Sequence, residues 1–143
     1  MTELLDRIDG LDDDQLLAAF DVQGISATGW THEAHLRTAF VLAARHPLHE
    51  AHLRLRAGII RLNARHGLVE TGARGYFETL TFAWLALVDD ARRRSGTTDS
   101  RACLARCPEL LDRKLPLRHY SEEVLRSVQA RAVLLPPDRA PLP

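Results

Sequence analysis

Two histidines close together have the spacing that metal or acid–base chemistry would use. His32 and His35 are three residues apart, so on a helix they lie on one face and can point at one ligand. A divalent metal takes two or three imidazoles and a carboxylate at about 2.0–2.2 Å, and one helix can supply two of these ligands. In the His-Glu-x-x-His motif of zinc proteases the histidines are four residues apart, so that motif is absent here.

A carboxylate, Glu78, is the second candidate for chemistry. It lies in the first turn of the most apolar segment of the chain, which we predict to be a buried helix from Gly75 to about Arg94. An unpaired carboxylate is costly there, so Glu78 needs an arginine, a histidine or a metal ion as its partner. The sequence leaves these alternatives open. If the partners are His32 and His35, the three residues form a metal or acid–base site.

Aromatic residues and a further histidine complete the predicted pocket. Trp30 and Tyr76 can wall it, although core packing is the simpler interpretation for each. His119 and Tyr120 precede Ser121, a predicted helix cap, so they point either into a cleft or along the surface. The predicted roles are catalytic for Glu78, His35 and Tyr120, substrate-binding for Trp30, Tyr76 and His119, and metal-ligating for His32, His35 and Glu78.

The composition limits the possible classes of protein. The chain has 143 residues, 19 basic and 19 acidic side chains, and 45% hydrophobic residues, which predicts one globular domain. A formal net charge of zero argues against a nucleic-acid or anionic-membrane binder. Neither a membrane-spanning run nor a signal-peptide pattern is present, so we predict a cytoplasmic protein. Cys103 and Cys107 are then expected to be reduced thiols.

The hydrophobic spacing is helical nearly throughout, and no stretch alternates like a strand. We predict an all-α, compact single-domain bundle of about five helices over residues 1–143, with a central buried helix near residues 75–94. Residues 1–11 and 136–143 are expected to be peripheral or flexible. Thr31 is a predicted N-cap, and Gly58, inside the third helix, indicates the close approach of another helix. The predicted helices cover Asp12–Phe20, His32–Arg45, Pro47–His66, Gly75–Arg94, Asp99–Cys107 and, after Ser121, the segment to Ala132.

One six-residue string occurs twice, since His-Glu-Ala-His-Leu-Arg stands at 32–37 and again at 49–54. The offset of 17 residues is too short for the repeat unit of a solenoid. In the second copy, His52 shares an apolar stripe with Ile59, whereas His49 is predicted to be exposed to solvent.

Four short motifs of this chain, taken together, carry a resemblance. They are Trp30–Leu36, Gly75–Thr81 with Ala83–Trp84, His119–Ser121 and Pro137–Pro143. The set resembles a family of small bacterial proteins of no settled function, over about residues 28–143. In that family an aromatic residue precedes His-x-x-His-Leu, Tyr-His-Glu-Thr opens a buried helix, and the chain ends near Pro-Asp-x-x-Pro-Leu-Pro.

The resemblance bears on which residues matter, although the family supplies no reaction. It implies that four candidates stand at motif positions, namely His32, His35, Glu78 and Tyr120. His49 and His52 lie outside the motifs, so the second His-Glu-Ala-His is interpreted as incidental. Phe77 departs from the pattern, because the family usually has histidine there.

The sequence thus predicts a small enzyme that acts on a small organic molecule. The site is either metal-dependent or a metal-free acid–base site of lyase, isomerase or cyclase type in a biosynthetic pathway. The alternative is a non-catalytic helical module that binds a ligand or a partner protein. The expected cofactor is a divalent metal ion of unknown identity, or none. The expected partner is a small-molecule substrate, with no nucleic acid and no membrane, and a homodimer is left open.

Overall fold

The computed structural model describes residues 3–71 and 74–143, and these ranges are helical apart from loops. One isolated parallel bridge joins Leu5 to Ile25. None of the described helices is long and apolar enough to cross a membrane. The α-helices are α1 (Asp13–Asp21), α2 (His32–Arg45), α3 (Leu48–Arg65), α4 (Glu78–Ser95), α5 (Ser100–Arg106), α6 (Glu122–Leu125) and α7 (Val128–Ala132), and two 3-10 helices cover Pro108–Leu111 and Leu115–Arg118.

The all-α prediction is confirmed, but the described residues form seven α-helices rather than about five. The helix predicted after Ser121 is divided into α6 and α7, because Ser127 begins a new helix by accepting a hydrogen bond from the backbone N–H of Ala130 at 3.0 Å. The buried helix α4 begins at Glu78 rather than at Gly75, because Phe77 is extended, with φ −119° and ψ 107°.

The core lies around two helices, α2 and α4, which pack along each other. Every residue of α2 from 36 to 43 is buried. Helix α4 is largely buried, as its apolar sequence predicts. Helices α1, α3 and α5 pack around α2, so α2 shares the central position that the sequence assigns to α4 alone.

Side-chain hydrogen bonds at the N-caps determine where α1 and α2 begin. The predicted cap Thr31 accepts a hydrogen bond from the backbone N–H of Ala34 at 3.1 Å. Asp12 and Gln15 form a capping box at the start of α1, in which each side chain bonds the other's backbone N–H. The Thr31 cap therefore sets the position where the His32–His35 turn begins.

A buried arginine joins three helices in a way that periodicity does not reveal. The Arg37 side chain is 1% exposed and donates to the Ser100 hydroxyl at 2.7 Å and to the backbone carbonyl of Leu11 at 2.8 Å. It also lies 3.4 Å from the carboxylate of Asp13. The guanidinium thus has partners in α1 and α5, which compensates for its burial inside α2.

Candidate functional site

The carboxylate of Glu78 is the centre of a cluster of polar side chains. Its Oε1 accepts hydrogen bonds from the Tyr76 hydroxyl and from His52 Nε2, each at 2.7 Å. Its Oε2 accepts one from Arg56 Nη1, also at 2.7 Å. The side chain of Glu78 is only 7% exposed, so these partners replace the water that it has lost. We call these four residues the Glu78 cluster.

Two helices and one loop position the Glu78 cluster. His52 and Arg56 lie one turn apart on the same face of α3. Glu78 is the first residue of α4, where the helix dipole favours a negative charge. Tyr76 precedes α4, and its backbone N–H is held by the carboxylate of Glu70 at 3.1 Å.

The electrostatics of the cluster favour an ionised Glu78. Burial alone raises the pKa of this carboxyl group. The hydrogen bonds from Tyr76 and His52, together with the charges of His52 and Arg56, outweigh burial, so the pKa is lowered overall. Burial and the neighbouring carboxylate raise the pKa of Tyr76, which keeps the phenol protonated as a donor.

An open groove of about 610 Å³ runs beside the Glu78 cluster. Arg56 connects the two, because its side chain is bonded to Glu78 and is still 46% exposed. This Arg56 groove contains a second arginine, Arg131, which pairs with Glu70. The groove is lined by Arg56, Ile60, Glu70, Thr71, Tyr76, Val128, Arg131 and Ala132.

His32, a predicted metal ligand, lies in a different part of the core. Its Nε2–H donates to the backbone carbonyl of Leu110 at 3.0 Å, and its ring meets the Trp84 ring edge-on with centroids 4.7 Å apart. That nitrogen is therefore engaged and cannot also ligate a metal in this arrangement. Burial lowers the pKa of His32 despite the hydrogen bond, and the charge of Arg113 lowers it further.

His35, predicted to be catalytic, packs with aromatic residues of the core. Its ring meets that of Trp30 edge-on, with centroids 5.9 Å apart. Trp30 stacks on Phe20 at 5.4 Å, so it packs in the core as the simpler interpretation of the sequence holds. Burial lowers the pKa of His35 to about 4, and the charge of His32 acts in the same direction.

Glu78 therefore has partners of two of the predicted kinds, an arginine and a histidine, but the histidine is a different one. His52, which the resemblance leaves outside its motifs, takes the place expected for His32 and His35. Within residues 3–71 and 74–143, no group of three histidine, cysteine, aspartate or glutamate side chains is arranged to hold a metal ion. The metal site at His32, His35 and Glu78 stays a prediction without a ligand cluster in that part of the chain.

His119 and Tyr120 hold the C-terminal segment. The ring of His119 donates from Nδ1 to the backbone carbonyl of Pro141 at 2.9 Å. The fully buried Tyr120 donates its hydroxyl to the carbonyl of Leu135 at 2.8 Å. The predicted cap Ser121 accepts from the backbone N–H of Val124, as expected. The side-chain hydrogen bonds of His119 and Tyr120 are thus made to the tail, residues 133–143.

Phe77, where the resembling family usually has histidine, contacts Arg131, a lining residue of the Arg56 groove. The guanidinium of Arg131 is placed over the Phe77 ring, 5.0 Å from its centroid.

Cys103 and Cys107 are both buried free thiols. Neither cysteine is a partner of the Glu78 carboxylate.

Sequence reasoning missed His52 and Arg56 as site residues. A usable signal was present, because His52 lies on the apolar stripe of its helix and Arg56 follows four residues later on the same face. Such a pair on an inward face matches the partner that a buried carboxylate requires. The missing information was which part of α3 faces the start of α4.

Comparison with known proteins adds no functional assignment to this geometry. No protein-family model matches the chain, and neither a curated protein nor a solved structure shows a significant match.

Proposed function

We propose that this chain is a small cytoplasmic enzyme that moves protons on a small organic anion. His52 is the acid–base residue, Glu78 orients its ring, and Arg56 binds the anionic group of the substrate. The observation that supports the proposal is the shared carboxylate of Glu78. It accepts hydrogen bonds from an imidazole and from a guanidinium, each at 2.7 Å, beside an open groove.

The hydrogen bonding of His52 suits a general base. Because Nε2–H donates to Glu78, the neutral ring carries its lone pair on Nδ1. Among the described residues, no group is hydrogen-bonded to Nδ1. The side chain is 14% exposed, so it is held in place but not sealed from solvent. Glu78, whose two oxygens already accept three hydrogen bonds, is a positioning residue rather than the base.

Arg56 suits the binding of a carboxylate or phosphate on the substrate. One of its terminal nitrogens is bonded to Glu78, and the exposed remainder of the guanidinium faces the groove. A base next to a fixed positive charge favours removal of a proton from a carbon close to the anionic group, because the positive charge stabilises the negative charge that develops there. This is the first step of many lyase, isomerase and cyclase reactions.

Proton exchange tests the proposal whichever product the reaction forms. The purified protein is incubated in D₂O with short-chain 2-oxo, 3-hydroxy and 2-enoic acids, and loss of their C–H signals is followed by proton NMR. We expect exchange or turnover of at least one acid. His52→Gln should lower this rate about 10²–10⁴-fold, since glutamine can still donate to Glu78 but cannot take up a proton. Arg56→Gln should raise KM more than it lowers kcat.

The matched control is His49→Gln, because His49 is an exposed histidine of the same helix. It should keep the full rate, and circular dichroism should show all three variants folded. Loss of activity in a chelator would support the metal-dependent version of the site instead. Saturable binding of an acid without any exchange would favour the non-catalytic module. An equal loss of rate in His49→Gln and His52→Gln would overturn the proposed role of His52.

A further inference from the structure

Phe77 lines a second concave surface, which shares no lining residue with the Arg56 groove. It is a cavity of about 620 Å³ between the first turn of α4, the second 3-10 helix and α6. That volume is within the usual range of about 300–1,000 Å³ for small-molecule sites. We call it the Phe77 groove. It is lined by Phe77, Leu80, Arg113, Lys114, Pro116, Leu117, Glu122, Leu125 and Arg126.

The floor of the Phe77 groove is apolar and incompletely covered. Phe77, Leu80, Leu117 and Leu125 are each partly exposed, although every one of them lines a concave wall. Binding of an apolar group in this cavity is favourable, because it removes these partly exposed apolar side chains from water. The floor therefore suits an alkyl chain or a ring rather than a polar ligand.

The rim of the Phe77 groove carries an excess of positive charge. Arg126 is paired with Glu122 at 2.6 Å, so these two charges neutralise each other. Arg113 and Lys114 are exposed, and their side chains have no ion-pair or hydrogen-bond partner among the described residues. Lys114 is the single lysine of the whole sequence, in which all other cationic side chains besides histidine are arginines.

We propose that the Phe77 groove binds a small amphiphilic carboxylate. The apolar chain or ring lies on Phe77, Leu80 and Leu125, and the carboxylate lies between Arg113 and Lys114. The two unpaired positive charges on the rim complement this head group, and the apolar floor complements the tail. This site shares no residue with the Glu78 cluster, so binding here does not depend on the proposed enzyme function.

The single lysine permits a direct binding measurement. Reductive methylation with ¹³C-formaldehyde keeps the charge of Lys114 and gives one side-chain signal, while the α-amine gives a separate one. Decanoate is added below its micelle concentration. We expect a saturable shift of the Lys114 signal. Acetate, which has the head group alone, and decyltrimethylammonium, which has a similar tail with the opposite charge, should give no saturable shift.

Variants test the two halves of the groove separately by calorimetry of decanoate binding. Leu125→Gln should weaken binding about tenfold, which corresponds to the loss of one buried leucine contact. Arg113→Glu should weaken it at least as much, because it reverses one of the two unpaired charges. The control is Arg61→Glu, an exposed arginine of α3 away from the groove, which should bind like the wild type.

Three results would overturn the proposal. One is an equal response to decanoate and decyltrimethylammonium, since the rim would then play no part in selection. Another is equal binding by Arg113→Glu and Arg61→Glu. The third is co-sedimentation with phosphatidylglycerol vesicles without a saturable decanoate shift, which would indicate a lipid surface instead of a free carboxylate. Each variant is first checked for an unchanged thermal unfolding midpoint.

Discussion

At the scale of the residue, folding lowers the pKa of two histidines, His32 and His35, and the larger change is at His35. Its ring packs against Trp30, and burial lowers its pKa from 6.5 to about 4, with a further contribution from the charge of His32. The folded chain therefore holds a neutral imidazole at a pH where the unfolded chain would be protonated. This difference makes the stability of the protein depend on pH.

We expect the free energy of unfolding to fall as the pH drops from 6.5 toward 4. In this window the unfolded chain binds a proton at His35 and the folded chain does not, so acid favours unfolding. The pKa difference corresponds to at most about 3 kcal/mol at and below pH 4. Urea unfolding measures the free energy of unfolding at about pH 7.5 and about pH 4.5. Between these two values this free energy should fall by about 2 kcal/mol less in His35→Gln than in the wild type.

The control for this titration is His49→Gln, because His49 is exposed at the start of α3. It should lose stability with acid as steeply as the wild type does. Carboxylates contribute to acid unfolding in all three proteins, so only the difference between the two slopes measures His35. Identical slopes for His35→Gln and the wild type would show that this imidazole is not held neutral.

The sequence predicts that a buried polar residue needs a partner, but it does not predict which residue that partner is. The need of Glu78 for a partner follows from a carboxylate in an apolar helix, and the structure confirms it. The identity of that partner depends on which turn of α3 faces α4, and no local pattern specifies this. For that reason the sequence points to His32 and His35 in place of His52.

At the scale of the element, the contact between α1 and α3 depends on a missing side chain. Gly58 lies in the middle of α3, where glycine costs about 1 kcal/mol relative to alanine. A Cβ atom at this position would lie 2.0 Å from Cζ of Phe20, far inside van der Waals contact. The ring of Phe20 thus packs directly on the backbone of α3, and the predicted close approach of another helix is confirmed.

Gly58→Ala should therefore destabilise the protein although alanine is the better helix former. Phe20 is fully buried and cannot move aside freely, so we expect a loss of about 1–3 kcal/mol from overpacking. Gly10→Ala is the control, because a Cβ there would meet nothing within 4 Å. Thermal unfolding monitored by circular dichroism measures both. A Gly58→Ala variant as stable as Gly10→Ala would contradict the packing described here.

Helix existence is more predictable than helix boundaries. Periodicity identifies α1 to α5, because each presents one face to the core at helical spacing. It does not predict the break between α6 and α7, where Ser127 caps a second short helix inside one apparent pattern. Ser127 is a typical cap residue, but a serine also occurs within helices, so its type alone does not locate a boundary.

At the scale of the whole molecule, the tail of residues 133–143 is attached to the start of α4. The hydroxyl of Thr79 donates to the backbone carbonyl of Val133 at 2.7 Å and accepts from the backbone N–H of Leu135 at 3.0 Å. Tyr120 also bonds Leu135, and His119 bonds the tail further along, at Pro141. These partners are up to 56 residues apart in sequence, so composition predicts a proline-rich tail but not where it lies.

Thr79→Val should loosen this attachment while keeping the shape of the side chain. The change leaves the backbone carbonyl of Val133 and the backbone N–H of Leu135 without their partner. We therefore expect the free energy of unfolding, measured with urea, to fall by about 1–3 kcal/mol. Trypsin should also cleave faster after Arg139. Thr38→Val is the matched control, because Thr38 is equally buried but its hydroxyl bonds only the carbonyl of Ala34 within its own helix. That variant should keep the tail protected. Equal stability and equal cleavage rates in the two variants would mean that Thr79 does not hold the tail.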